Sequence, residues 1–168
     1  SFGSVTATGV TLAEAGALPA GVGSYALVDS VDGLQVPMPV DLATADLLMG
    51  ANNGLPASAI SVADDLTAIN SYGSLASFDS VTATDVTLAE ADNLPASVDY
   101  FTLIDTVEGL QVPMPVDLDT GSLLLAAQNS GQTYISVTDD LTNFTDFPAG
   151  FLSNFNPPIT VSGVTLAD

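Results

Sequence analysis

The segment Ser4-Val-Thr-Ala-Thr-Gly-Val-Thr-Leu-Ala-Glu14 returns as Ser80-Val-Thr-Ala-Thr-Asp-Val-Thr-Leu-Ala-Glu90. A third version, Ile159-Thr-Val-Ser-Gly-Val-Thr-Leu-Ala-Asp168, follows. Residues 1–48 align without a gap with residues 77–124 at an offset of 76, and 33 of those 48 positions are identical. Further on, Ile60-Ser-Val-Ala-Asp-Asp-Leu66 matches Ile135-Ser-Val-Thr-Asp-Asp-Leu141 at an offset of 75. A tandem repeat of this length restricts the fold to arrays, either solenoids or strings of small domains. The expected organisation is one copy at 1–76, a second at 77–154 and the start of a third at 155–168, read as one continuous solenoid.

Each copy divides into three smaller units that read as strand, turn and short helix. The strands are expected at 5–8, 25–29 and 60–64, then at 81–84, 101–105 and 135–139, with a seventh at 159–162. Strands that alternate with helices imply crossover connections and a parallel sheet. The predicted class is therefore α/β, a repeat solenoid of short parallel strands alternating with short helices. The competing architecture is two tandem β-rich, sandwich-like domains, but no Gly/Pro/Ser-rich linker separates the copies near residue 76.

The helix starts are written in capping chemistry. Thr11 with Glu14, and Thr87 with Glu90, stand at the N-cap and N3 positions of a capping box. Asp41, Asp65, Asp117 and Asp140 are single caps whose charge suits the positive end of the helix dipole. Leu12, Ala15 and Leu18 share one face, and Pro19 and Pro95 are expected to stop the first helix of each copy. Helices of about two turns do not persist alone and need a sheet to lie on. The insert Asp32-Gly-Leu-Gln-Val-Pro-Met-Pro-Val40, nearly unchanged at 108–116, has proline at alternate positions, which suits an extended edge segment rather than a central strand.

Charge then limits function. The chain has 20 acidic residues and no Lys, Arg or His, a formal charge of −20. Nothing in it neutralises phosphate, so nucleic acid is not an expected partner. No apolar run approaches the ~18 residues of a spanning helix, so membrane insertion is not expected either. With no His, Cys or Lys, the usual general bases and activated nucleophiles are missing, and the chain is not expected to be an enzyme. Asp119-Thr-Gly-Ser122 matches a short aspartic-protease signature, but the aligned stretch of the first copy is Ala43-Thr-Ala-Asp46, and the motif falls inside an expected helix. The glutamates are Glu14, Glu90 and Glu108, and two of them are taken up by capping boxes, leaving no obvious carboxylate pair for glycoside hydrolysis. The sequence begins without Met or a signal peptide, from which a processed chain or a piece of a longer one is expected.

Two sets of residues remain as candidates for function. Asp29, Asp32 and Asp41 bracket the insert, and Asp105, Glu108 and Asp117 repeat the pattern. Carboxylates and loop carbonyls are what calcium takes as ligands, so these six are the candidate cation site, weighed against service as caps and solvated turns. Ile159, Val161, Val164 and Leu166 of the third copy, with Phe151 and Phe155 before it, are candidate assembly residues. Neither end of the chain carries a polar cap, and open coil faces favour head-to-tail contacts with further copies of the chain.

Ile60-Ser-Val-Ala-Asp-Asp-Leu-Thr-Ala-Ile69 followed by Ser80-Val-Thr-Ala-Thr-Asp-Val-Thr-Leu88 resembles the tandem repeats of very large secreted bacterial surface proteins. In those, a Val-Ser-Asp-type strand end and helix lead into an Ile-Thr-Ala-Thr-type strand. The resemblance implies an extracellular adhesin, sheath or surface-array role. The Gly-Gly-x-Gly-x-Asp calcium nonapeptide that accompanies many such proteins does not occur here. The expected function is thus a structural repeat protein of an extracellular filament, sheath, surface layer or adhesin stalk that assembles head to tail. The alternative is a carbohydrate- or calcium-binding module of a large secreted adhesin.

Overall fold

The structure is a computed structural model that describes residues 4–28, 36–104, 114–128, 135–146, 150–155 and 159–162. It is a mixed α/β chain of short strands and six helices, without a closed barrel among the described residues. Two compact units divide it, residues 1–83 with 95–99 and residues 84–94 with 100–168.

The first unit holds β1 (Val5–Val10), α1 (Leu12–Ala15), β2 (Val22–Leu27), α2 (Leu42–Gly50), β3 (Ser61–Asp65), α3 (Leu66–Ser71) and the first half of β4 (Ser80–Val86). β1 and β2 pair in parallel, Thr6 opposite Ser24 and Thr8 opposite Ala26. Each strand-to-strand step is short. The Thr6 and Ser24 hydroxyls meet at 2.7 Å across 18 residues, and the Ser61 hydroxyl donates to Asp79 at 3.0 Å across the same separation. α2 places Leu42, Ala45 and Leu48 on one buried face at helical spacing. Ile60, Val62, Ile69 and Val81 complete the interior, each 2% exposed or less.

The outer edge of β2 is closed by the turn after α2 rather than by a strand. The Asn52 N–H donates to the Tyr25 carbonyl at 2.7 Å. The Asn53 side chain accepts from the Leu27 N–H at 2.8 Å and donates to the Leu27 carbonyl at 2.9 Å. One amide side chain thereby does the work of a neighbouring backbone. Residues 32–35 of the insert lie outside the described residues. Its last residue, Val40, makes a parallel bridge with Val62 beside β3.

The second unit holds the rest of β4, α4 (Leu88–Ala91), β5 (Tyr100–Leu103), α5 (Leu118–Ala126), β6 (Val137–Asp140), α6 (Leu141–Asp146), a 3-10 turn at Phe151–Asn154 and β7 (Ile159–Ser162). β6 and β7 are parallel, Val137 opposite Ile159 and Thr138 opposite Thr160. Val116 repeats the Val40 bridge by pairing in parallel with Val137. The Gln128 N–H donates to the Phe101 carbonyl at 2.9 Å, the counterpart of the Asn52 bond. Leu118, Leu124 and Val137 are fully buried. The β1–β2 and β6–β7 pairings and the Val40 and Val116 bridges are all parallel, unlike the antiparallel pairing of a sandwich.

The first helix of each copy is shorter than expected. α1 and α4 span four residues each and end well before Pro19 and Pro95. After one turn the bonding tightens to i→i+3, Ala17 N–H to Glu14 and Asn93 N–H to Glu90, so the prolines follow the helix rather than stop it.

Two repeat positions show what duplication changed. Gly9 adopts φ +70°, where the β1/β2 register slips between Thr8 and Val10. Its counterpart in β4 is Asp85, held at φ 54°. A side chain in this left-handed region is disfavoured by about 1 kcal/mol, somewhat less for Asp. We expect Asp85→Gly to stabilise the protein by about 0.5–1 kcal/mol, read as a rise in the urea midpoint. A fall would show that the Asp85 side chain makes a compensating contact.

Ala45 of α2 is replaced by Gly121 in α5. A Cβ at Gly121 would lie 3.0 Å from both Phe155 Cε1 and Val137 Cγ2. Helix propensity alone favours alanine by up to ~1 kcal/mol. Here Val137 and Phe155 are both buried and cannot give way. Gly121→Ala should therefore be net destabilising by about 1 kcal/mol, because overpacking outweighs propensity. A gain in thermal midpoint would contradict that.

Candidate functional site

A chain without a single basic side chain must find positive charge elsewhere, and the helix N-termini supply it. All six described helices have a carboxylate there. Thr11 and Glu14 form a complete capping box on α1: the Thr11 N–H and hydroxyl donate to Glu14 Oε2 at 2.9 and 2.8 Å, and Glu14 N–H donates back to Thr11 at 3.3 Å. Thr87 and Glu90 repeat it on α4. The bonds from Thr11 and Thr87 hold the Glu14 and Glu90 carboxyls below the ordinary value. Asp41 accepts from Thr44 N–H at 2.6 Å, Asp65 from Ala68 N–H at 2.9 Å, Asp117 from Thr120 N–H at 2.7 Å and Asp140 from Asn143 N–H at 3.0 Å.

Asp64 and Asp139 also bond to residues far away along the chain. Asp64 accepts from Leu42 N–H, 22 residues away, at 3.0 Å, and from Asp65 N–H at 2.9 Å. Asp139 accepts from Leu118 N–H, 21 residues away, at 2.9 Å, from Asp140 N–H at 2.8 Å and from the Asn143 amide at 2.7 Å. The Leu118 N–H, then the Asn143 amide and the Asp140 N–H, pull the Asp139 carboxyl below its usual range. The adjacent acids at the strand-to-helix turn are thus divided in labour, one capping its own helix and one fastening the start of a preceding helix. That second role needs the start of α2 or α5 in place beside the strand, and no local motif announces it.

A polar cluster distinguishes the first copy. Tyr25 donates to the Leu47 carbonyl at 2.7 Å, and Tyr72 donates to the Asp46 carboxylate. The aligned residues of the second copy are Phe101, Ser122 and Phe147, so both phenols and the acid are replaced together. The hydrogen bond to Asp46 pushes the Tyr72 phenol up to about 12 from 10.0. A phenol whose folded value is raised contributes stability below the unfolded value and loses it as pH climbs through the folded one. We expect the thermal midpoint to fall between pH ~10 and ~12. Tyr72→Phe should make that fall shallower. Tyr25, raised by burial and then by Asp46, leaves a residual slope. Equal slopes in the two proteins would sink the assignment.

The candidate cation residues are not brought together as a described group. Asp29, Asp32, Asp105 and Glu108 lie outside the described residues. Asp41 and Asp117 serve as helix caps. Among the described residues no group of three or more acidic side chains is placed to hold a metal ion. A surface cavity of about 440 Å³ in the second unit is lined by Leu88, Ala89, Asp92, Asp117, Asp119, Thr120 and Leu123. Asp92 and Asp119 replace Gly16 and Ala43 of the first copy. Asp119, Thr120, Gly121 and Ser122 all lie within α5, so the protease-like signature is helical rather than a catalytic loop.

Of the candidate assembly residues, Val161 is an exposed residue of β7 and Phe155 is buried within its own chain beside Gly121. Ile159 and Phe151 contribute backbone to β7 and to the 3-10 turn, and their side chains lie outside the described part. Val164 and Leu166 lie outside the described residues. No helix among the described residues is long and apolar enough to cross a membrane. No family model matches the chain, and comparison with curated proteins and with solved structures gives no match.

Proposed function

We propose that this protein is a non-enzymatic structural repeat, a segment of a parallel β-solenoid that builds an extracellular filament, sheath, surface layer or adhesin stalk by association with copies of itself. The observation that supports this reading is the repeated fastening of coil to coil. Leu42 to Asp64 and Leu118 to Asp139 are the same bond in two copies, at 22 and 21 residues. Steps of 18 residues join Thr6 to Ser24, Ser61 to Asp79 and Val81 to Asp99. Acids that could have served chemistry are spent on holding successive coils and helix starts. The resemblance to repeats of secreted bacterial surface proteins supports the same location.

Electron microscopy of the full chain at raised salt, which screens the repulsion of a −20 chain, tests the reading. Regular fibres or sheets are expected. Dispersed monomers at every salt and protein concentration, particularly monomers that bind glycans, would overturn it.

A further inference from the structure

We propose that Asn53-Gly54 is a site of self-modification, at which the Gly54 amide closes on the Asn53 side chain and the reaction unlatches the outer edge of β2. Asn53 is the only asparagine in the chain that is followed by glycine. Glycine has no side chain to crowd the approach of its nitrogen to the preceding carboxamide. In the step, the Gly54 nitrogen gives its proton to solvent base and bonds to Asn53 Cγ. The Cγ–Nδ2 bond breaks, and Nδ2 leaves as ammonia. Water then opens the five-membered imide at either carbonyl, which leaves aspartate or isoaspartate at position 53. Water is the only co-reactant, and none of this depends on how copies of the chain assemble.

The fold holds the reaction off and then prevents its reversal. Asn53 Oδ1 accepts from the Leu27 N–H at 2.8 Å, and Nδ2, the leaving group, donates to the Leu27 carbonyl at 2.9 Å. The nucleophile is engaged as well, because the Gly54 N–H donates to the Ala51 carbonyl at 3.0 Å. Attack at Cγ gives up the Nδ2 bond to Leu27 and the Gly54 bond to Ala51, so it proceeds from a turn that has opened locally. Afterwards the turn does not re-form. A carboxylate still accepts from the Leu27 N–H, but it has no hydrogen for the Leu27 carbonyl and sets oxygen against oxygen. Leu27 is buried, which makes that loss costly. Isoaspartate also lengthens the backbone immediately before Gly54, where even an added Cβ would stand 1.7 Å from the Leu48 carbonyl oxygen. The second copy keeps the asparagine, Asn129, but follows it with Ser130, so the two copies age unequally.

The test incubates the full chain at mildly alkaline pH, folded and in urea. It is then digested with a protease that cuts at aromatic residues, since the chain offers trypsin no Lys or Arg. Mass spectrometry reads the conversion of each asparagine. In urea, Asn53 should convert several-fold faster than Asn129. In the folded protein, conversion at Asn53 should be slower than in urea by about ten-fold or more, following the rarity of the open turn. Leu48→Ala, which loosens α2 above the turn, should restore part of that speed. Converted protein should unfold at lower urea, and its Leu27 amide should lose protection against hydrogen exchange. Asn53→Asp, which supplies one product directly, should reproduce both losses. Equal rates in the folded and unfolded chain would overturn the gating by the fold. Conversion in urea no faster at Asn53 than at Asn129 would remove the site. An unchanged urea midpoint with Leu27 still protected, in converted protein or in Asn53→Asp, would overturn the unlatching.

Discussion

Gly54→Ala should unfold the first unit more readily than any other single methyl addition at a described glycine. A Cβ at Gly54 would stand 1.7 Å from the Leu48 carbonyl oxygen and 3.0 Å from the Ala51 carbonyl oxygen. Both obstacles are backbone, so no rotamer change relieves them. The turn must move, and it holds several other bonds. Gly54 N–H donates to Ala51 at 3.0 Å and Leu55 N–H to Leu48 at 3.2 Å, which ties the chain back under the end of α2. Asn52 and Asn53, immediately before, close the outer edge of β2. A displaced Gly54 draws them away and leaves the Leu27 N–H and carbonyl without that side chain. Unsatisfied half-buried amides cost about 1–3 kcal/mol each. We expect a loss on the order of 3–5 kcal/mol, in the range reserved for a specific structural conflict. Gly73→Ala is the control, because nothing lies within 4 Å of its added Cβ. It should change stability by no more than about 0.5 kcal/mol or raise it slightly. Urea denaturation of both variants decides the matter, and a Gly54→Ala loss near that of Gly73→Ala would show that the turn is not held as described.

Leu48→Ala and Leu124→Ala are expected to follow closely. Each leucine is 0% exposed and stands at the same position of a nine-residue helix, α2 or α5. Truncating a fully buried leucine removes its transfer energy and leaves a cavity, about 2–5 kcal/mol together. These helices are too short to hold themselves, so their seating depends on that face. Similar losses in the two variants would fit the equivalence of the copies. A loss under about 1 kcal/mol for Leu48→Ala would mean that α2 is not anchored by it.

Much of this was legible in the residues. The six helices start where Thr11, Asp41, Asp65, Thr87, Asp117 and Asp140 announce them, because a cap is a local contract between a side chain and an N–H three residues on. The strands fall within a few residues of the β-branched runs, and short parallel strands alternate with helices as the spacing requires. The repeat itself is visible by alignment alone.

What the tertiary structure decided is everything that depends on which neighbour is present. In the same Ser-Val-Thr-Ala-Thr run, Val5 is 45% exposed and Ala7 half-buried at β1, whereas Val81 and Ala83 are buried at β4, which among the described residues is the strand with a neighbour on each side. Asp64 and Asp139 look like their adjacent caps, yet they bond to helix starts 22 and 21 residues away, a role that exists only once strand and helix are packed together. Asn53 closing β2 and Phe155 filling the space over Gly121 are likewise non-local contacts with no sequence period to betray them. Local capping and periodicity belong to a few consecutive residues and can be read from them. Burial and long-range bonding belong to pairs far apart along the chain, and only the folded arrangement chooses those pairs.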